Sequence, residues 1–429
     1  METLLCLAVA LFAGLMLSRL AKLVQLPAVT AYLVAGILVG PYLLGALGIK
    51  GLGFVSMEDV ESYGLLADAA LGFIAFSIGN EFRLSQLKQT GKQATIVGIF
   101  QAVFTTLLVD AALIGLHFLI PDKLPLSAAI VLGAVASATA PAATLMVVRQ
   151  YKAKGPVTDI LLPVVALDDA VGLILFAISF GVAKALISGA VDLISVLVEP
   201  LLEVVLSLGL GFGMGMLFTY FERFFHSRSK RLSMSVTFVL LTVALSMLKF
   251  EIGGVHIAFS SLLVCMMLGT VFCNLCDFSE ELMDRLDRWT APLFILFFVI
   301  SGAELELATF RDIVVVCIGL VYILFRSLGK YTGAGISARI SHCDPKIVKY
   351  LGITLLPQAG VALGMAIKAE ALGEEGRIVT NIILFSVLIY ELIGPFLTKM
   401  ALAKAGEIRP EGKTSARGQI ASAPKTEQK

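Results

Sequence analysis

Long apolar runs recur along the whole chain, separated by short loops that carry most of its charge. A helix rising 1.5 Å per residue needs about 20 apolar residues to cross a hydrocarbon core of roughly 30 Å. Runs of that order lie near residues 3–22, 27–47, 62–80, 93–120, 124–149, 156–187, 196–222, 232–249, 255–276, 290–306, 311–339, 346–370 and 377–402. The pattern predicts an all-α polytopic membrane protein with about 13 transmembrane helices. Residues 403–429 are polar and rich in Ala, Lys and Glu, and are expected to be a disordered tail.

Two runs are interrupted at matching places. The fifth reads LGAVASATAPAATLMVV, with Pro141 in mid-span beside Ser137, Thr139 and Thr144; the twelfth reads LGITLLPQAGVALGMAI, with Pro357, Gln358 and Gly360. Proline removes a backbone donor and glycine loosens the chain, so each helix is expected to break half-way and leave free amides and carbonyls facing a cavity. A run with charge in it follows the first interruption, and another precedes the second. That mirrored order is what inverted repeats with two discontinuous crossing helices leave in sequence, and such spans point to a transporter's binding site.

The first charged run is LLPVVALDDAVG, which places Asp168 and Asp169 about 18 Å along a helix from Val157, near mid-membrane. An ionised group at that depth is costly, so the pair is expected to face a partner or a cavity. The eleventh run, VYILFRSLGKYTGAG, supplies Lys330. Neighbouring helical residues point about 100° apart, so one aspartate is expected to pair with Lys330 and the other to stay free. At the free carboxylate a proton and a dehydrated monovalent cation compete, with hydroxyls and broken-helix carbonyls as further ligands. Arg326, one turn before Lys330, is read as a structural pair with Glu391 on the last span. Asp68, Asp110 and Glu203 are read as packing or helix-end features, and His256 as a solvated helix end.

Composition agrees with this picture. The 429 residues are 58% hydrophobic and 15% charged, against about 25% charged in soluble domains. A net charge of +1 argues against a nucleic-acid partner, for which a clustered basic face is the expected footprint. Among the six cysteines only Cys273 and Cys276 have ligand spacing, with no second pair to complete a metal site. Arg19 and Lys22, Arg83 to Lys92, Arg149 to Lys154, Arg223 to Arg231, and Arg339 to Lys349 fall on alternate loops, together with the tail. The positive-inside rule then puts the C-terminus in the cytoplasm and the N-terminus outside. Asp277–Arg288 is acidic yet falls on the inner side, where its spacing suits an interfacial amphipathic helix.

The chain resembles the monovalent cation:proton antiporter superfamily, bacterial branch 2 type, most closely the electrogenic NapA-type sodium/proton antiporters. The resemblance rests on LPAVTAYLVAGILVGPYLLG (Leu26–Gly45), IAFSIGNEFRLSQLK, SATAPAAT, LDDAVG, LFFVISGAEL and LGKYTGA. It implies that Asp168 pairs with Lys330 and that Asp169 is the main carrier of cation and proton. It further implies a homodimer, with a core domain around 93–187 and 311–402 and a dimerisation domain from the other helices of residues 1–402. No cofactor is implied.

Ala140 stands where the animal-type exchangers carry an acid, and Asp168–Asp169 replaces the Gln-Asp of the potassium-efflux branch, whose nucleotide-binding domain gives way here to a short tail. Function is therefore read as exchange of sodium, or lithium, for protons, with potassium/proton exchange on the same residues as the alternative. An intramembrane aspartyl protease is a distant third, because its aspartates lie on separate helices and one sits in a Gly-x-Gly-Asp setting absent from this chain.

Overall fold

The computed structural model describes residues 2–23, 26–49, 51–80, 82, 84–188, 199–225, 227–248, 250–252, 255–276, 278–305 and 312–408. Among them are sixteen α-helices: α1 (Glu2–Leu23), α2 (Ala28–Val39), α3 (Met57–Glu61), α4 (Gly64–Gly79), α5 (Leu84–His117), α6 (Leu126–Val135), α7 (Pro141–Gln150), α8 (Pro156–Ser188), α9 (Glu199–Glu222), α10 (Arg228–Ser246), α11 (Ser261–Leu275), α12 (Ser279–Ala303), α13 (Ile313–Ile340), α14 (Pro345–Thr354), α15 (Gly360–Ala369) and α16 (Glu374–Ala405). Seven of them, α1, α5, α8, α9, α12, α13 and α16, are long and apolar enough to cross a membrane unaided. The thirteen runs map onto this set: the fifth is split into α6 and α7, the twelfth into α14 and α15, and α3 is a short addition.

Three boundaries differ from the sequence reading. Strands β1 (Phe250–Ile252) and β2 (Val255–Ile257) pair antiparallel, with Glu251 opposite His256, so the ninth span begins only at Ser261. The segment EIGGVHI combines β-branched residues with a two-glycine link, a hairpin signature that the apolar count overrode. The side chain of His256 lies outside the described residues. Second, Asp277–Arg288 is not a separate interfacial helix: from Ser279 it is the amphipathic first half of α12 and runs unbroken into the tenth span. Third, order extends past residue 403, because α16 continues to Ala405 and both Glu407 and Ile408 are buried. Residues 409–429 of the expected tail lie outside the described residues.

The helices pack in two groups. In one, α5, α6, α8 and α13 to α16 share cores built on Val109, Leu132, Phe176, Tyr322 and Phe385, and on Val97, Val164 and Leu351. In the other, α4 packs on α9, α10 and α11 through Phe76, Phe218 and Phe272, the last two rings stacked 4.3 Å apart. Backbone contact tightens this second group. A Cβ added at Gly79 would lie 1.8 Å from Met266 O, and one at Gly269 2.2 Å from Phe76 O, so glycines on both helices let α4 and α11 touch. Leu320, Leu324, Leu328 and Tyr331 form an exposed stripe along α13, the spacing of a lipid-facing surface.

Candidate functional site

The two helix breaks meet inside the first group. α6 stops at Val135, and Pro141 opens α7 at its first position, where a missing N–H costs nothing. α14 stops at Thr354 and α15 starts at Gly360 after Ala359, whose backbone is not helical (φ −156°, ψ −136°). The amide freed at Ala140 donates to Pro357 O (2.8 Å), so each break satisfies part of the other.

Carbonyl ends of α6 and α14 carry the negative pole of each half-helix, and two buried cations meet them. Arg326 on α13 donates from Nε to Ala136 O (3.0 Å), from one terminal nitrogen to Leu356 O (2.7 Å) and from the other to Ala138 O (2.6 Å). Its guanidinium also lies over the Tyr390 ring, 4.4 Å from the centroid. This corrects the expected Arg326–Glu391 pair. Tyr390 and Glu391 are adjacent on a helix and point about 100° apart, so the helix that offers its ring to Arg326 turns the acid away. Glu391 is buried, and its Oε2 has no hydrogen-bond partner.

Lys330, one turn further along α13, donates to Asp168 Oδ2 (2.6 Å), to Thr139 Oγ1 (2.9 Å) and to Ser137 O. Thr139 Oγ1 donates in turn to Asp168 Oδ2 (2.5 Å). Lys330 and Asp168 are both fully shielded from solvent, at 0% exposure. Asp169, 1% exposed, has no hydrogen-bond partner for either carboxylate oxygen. One aspartate is thus held and its neighbour is free, the division expected from helical geometry.

The other crossing residues have structural partners. Ser137 Oγ donates to Ala134 O (2.7 Å) and Thr144 Oγ1 to Ala140 O (3.2 Å), so both hydroxyls serve their own helix. Gln358 bridges the breaks from behind, donating to Val135 O (3.1 Å) and Tyr322 Oη (2.9 Å) and accepting from Ser386 Oγ (3.4 Å). Glu203 accepts from Lys368 Nζ (3.5 Å) and so ties α9 to α15. Asp110 lies against Gly133 of α6, where any side chain would strike its carboxylate.

Sequence reasoning missed two residues. Gln101 on α5 donates from Nε2 to Asp168 Oδ1 and is fully buried; its only signal is one amide in the apolar stretch IVGIFQAVF. Glu407 accepts from Val157 N (2.7 Å), Thr158 N (2.8 Å) and Thr158 Oγ1 (2.6 Å), and so caps the start of the aspartate helix α8 from beyond the end of α16. Nothing local in sequence could link positions 249 residues apart.

A cavity of about 1170 Å³ opens beside α8, lined by Tyr32, Arg149, Lys154, Asp159, Leu162 and Asp287 among others. Asp159, Leu162 and Asp169 are three and seven residues apart, so they share one face of α8. Arg149 and Asp287 form an ion pair of 2.5 Å that ties α7 to α12 at this face.

Two broken helices crossing beside a buried lysine and an aspartate pair define the architecture of an inverted-repeat secondary transporter. A family profile described as "Sodium/hydrogen exchanger, transmembrane" matches residues 7–404, and the chain belongs to that family. The chain is 24% identical over 350 residues to the Na(+)/H(+) antiporter NhaS4 of Synechocystis sp., covering 79% of this chain and 81% of that protein. Its fold is similar to the sodium proton antiporter MjNhaP1 of Methanocaldococcus jannaschii at pH 8, with a TM-score of 0.66 and 18% identity over 94% of this chain and 99% of that one. An electron-microscopy map structure of the same antiporter gives a TM-score of 0.70 at 16% identity, covering 93% and 94%. Family and fold are those of a multi-pass membrane transporter, which sets the protease reading aside.

Proposed function

We propose that the protein exchanges sodium for protons at Asp169, with the Asp168–Lys330 pair carrying a second proton. The observation that carries this reading is Asp169 itself, a carboxylate shielded from solvent whose two oxygens have no hydrogen-bond partner, at the crossing of two broken helices. A bare carboxylate in that setting is costly. A proton or a dehydrated sodium ion relieves the cost, and both cannot occupy it together.

Charge counting then gives the stoichiometry. With Asp169 protonated and Asp168 paired to Lys330, the site is neutral. A sodium ion shared by the two carboxylates displaces the proton of Asp169 and opens the ion pair. The uncompensated ammonium then loses its proton as well. The sodium-loaded site carries one net negative charge and the proton-loaded site none, so one sodium moves against two protons and transport is electrogenic.

The basic loops support a cytoplasmic C-terminus and an external N-terminus, which makes the cavity beside Asp159 the inner access route. The cores shared by α5, α6, α8 and α13 to α16 support a moving core domain, around 93–187 and 311–402, against a dimerisation domain built from the rest, in a homodimer. Proteoliposomes containing a pH dye test the assignment. Sodium or lithium added to wild type should drive proton flux, potassium should drive much less, and Asp169→Asn should abolish the flux, because an amide neither titrates in this range nor neutralises a cation. Asp169→Asn retaining more than half of wild-type flux would sink the assignment.

A further inference from the structure

The basic end of α13 carries a groove that the exchange site does not use. A cavity of about 690 Å³ lies between α13 and α14, lined by Tyr331, Arg339, His342, Val348 and Lys349 among others, with three basic side chains and no acid. Its floor is closely packed. A Cβ added at Gly335 of α13 would lie 3.3 Å from Val348 O, and one at Gly352 of α14 2.5 Å from Tyr331 Cα, so the two helices touch along the groove. His342 takes the left-handed conformation (φ 52°) that glycine commonly supplies at a helix end, and Cys343 N donates to Ala338 O (2.9 Å), which closes α13 and turns the chain back towards α14. Asp344, the one acid of this turn, caps α14 by accepting from Lys346 N (2.7 Å). Neither Arg339 nor Lys349 has an ion-pair partner among the described residues.

We propose that this groove binds the headgroup of an anionic phospholipid, its phosphate held by Arg339, His342 and Lys349 and its acyl chains lying on the exposed stripe of α13. Tyr331 belongs to both parts, since it lines the cavity and ends the stripe of Leu320, Leu324 and Leu328. Arg339 lies about 12 Å further along the same helix. A guanidinium matches phosphate oxygens with paired donors, and a tyrosine at the edge of an apolar stripe suits the headgroup level. A free phosphate would meet the cations alone and leave the stripe bare; a neutral lipid would cover the stripe and leave the cations uncompensated. The occupant also has a mechanical consequence. A Cβ at Gly352 would lie 2.8 Å from Lys330 O, so α14, a half-helix of the second break, rests directly on the backbone of the lysine helix. A lipid bridging α13 and α14 braces that joint.

The test titrates the full chain in detergent with phosphatidylglycerol, phosphatidylcholine or inorganic phosphate, counting bound lipid by native mass spectrometry and following thermal unfolding. Wild type should retain phosphatidylglycerol in preference to phosphatidylcholine and melt at a higher temperature with it, because a ligand of the folded state stabilises that state. Inorganic phosphate should give no such rise. The double variant Arg339→Gln/Lys349→Gln changes two exposed side chains and should bind phosphatidylglycerol about 30-fold more weakly, which corresponds to about 1 kcal/mol for each basic residue near an anionic lipid surface. Lys349→Glu alone sets an acid in the groove and serves as the second arm where the double variant does not fold; it should lose most of the rise in melting temperature. Equal phosphatidylglycerol binding in wild type and variant would place the lipid elsewhere on the protein. An equal rise with inorganic phosphate would make the groove a free-anion site, and an equal rise with phosphatidylcholine, or none with any lipid, would leave the basic side chains without this role. Each of these results would overturn the proposal.

Discussion

Replacing Lys330 with Met removes the ammonium and leaves the apolar stem, so it tests the ion pair with little change in packing. Lys330 and Asp168 are both at 0% exposure and 2.6 Å apart. Deleting one partner of a buried pair costs about 3–5 kcal/mol when the other stays ionised. Two neutral donors, Gln101 and Thr139, remain on Asp168 and place the expected loss at the lower end, near 3 kcal/mol at pH 8. At about 1–2 °C per kcal/mol for a chain of this size, the melting temperature should fall by roughly 3–6 °C. The assay is thermal unfolding in detergent at pH 8, followed by aggregation or by dye fluorescence, for both proteins. An equal melting temperature for variant and wild type would refute the ion-pair argument.

Arg326→Lys keeps the charge but cannot reach three carbonyls at once, and each buried carbonyl left unpaired costs about 1–3 kcal/mol. Folded yield should drop and sodium-driven flux fall at least tenfold; wild-type flux and yield would show that the guanidinium does not staple the crossing. Glu407→Gln keeps the shape of the α8 cap and loses its charge, which should cost about 1 kcal/mol and speed hydrogen exchange at Val157 and Thr158. Unchanged exchange at those amides would argue that the cap contributes nothing.

Much of this site was legible because its parts obey strong local rules. Proline among small polar residues and glycine marked the breaks, so Pro141 and Pro357 located both crossings, whereas Pro163, Pro292 and Pro395 sit inside continuous helices; two aspartates on consecutive helical positions had to diverge, which separated held Asp168 from free Asp169. Arg326 was misassigned for a physical reason. In an apolar run a cation was matched with the nearest spare acid, Glu391, whereas the breaks themselves create a stronger acceptor set, carbonyls at two half-helix ends, that no residue type announces. Gln101 and Glu407 were invisible for a different reason. An amide or acid at the right height is indistinguishable from any other until packing brings α5, or the end of α16, against α8. The hairpin at Phe250–Ile257 was lost to a count of apolar residues that weighs β-branched and helix-forming residues alike.

The central claim is that the two aspartates and Lys330 move two protons against one sodium. Proteoliposomes clamped with potassium and valinomycin measure it directly. The surplus charge is worth about 2.3 kcal/mol per 100 mV, so an inside-negative potential should raise the initial rate of sodium-coupled proton entry several-fold, and Asp168→Asn should blunt that response. A wild-type rate indifferent to the imposed potential, with sodium-driven proton flux intact, would contradict the account and leave Asp169 exchanging one proton for one sodium.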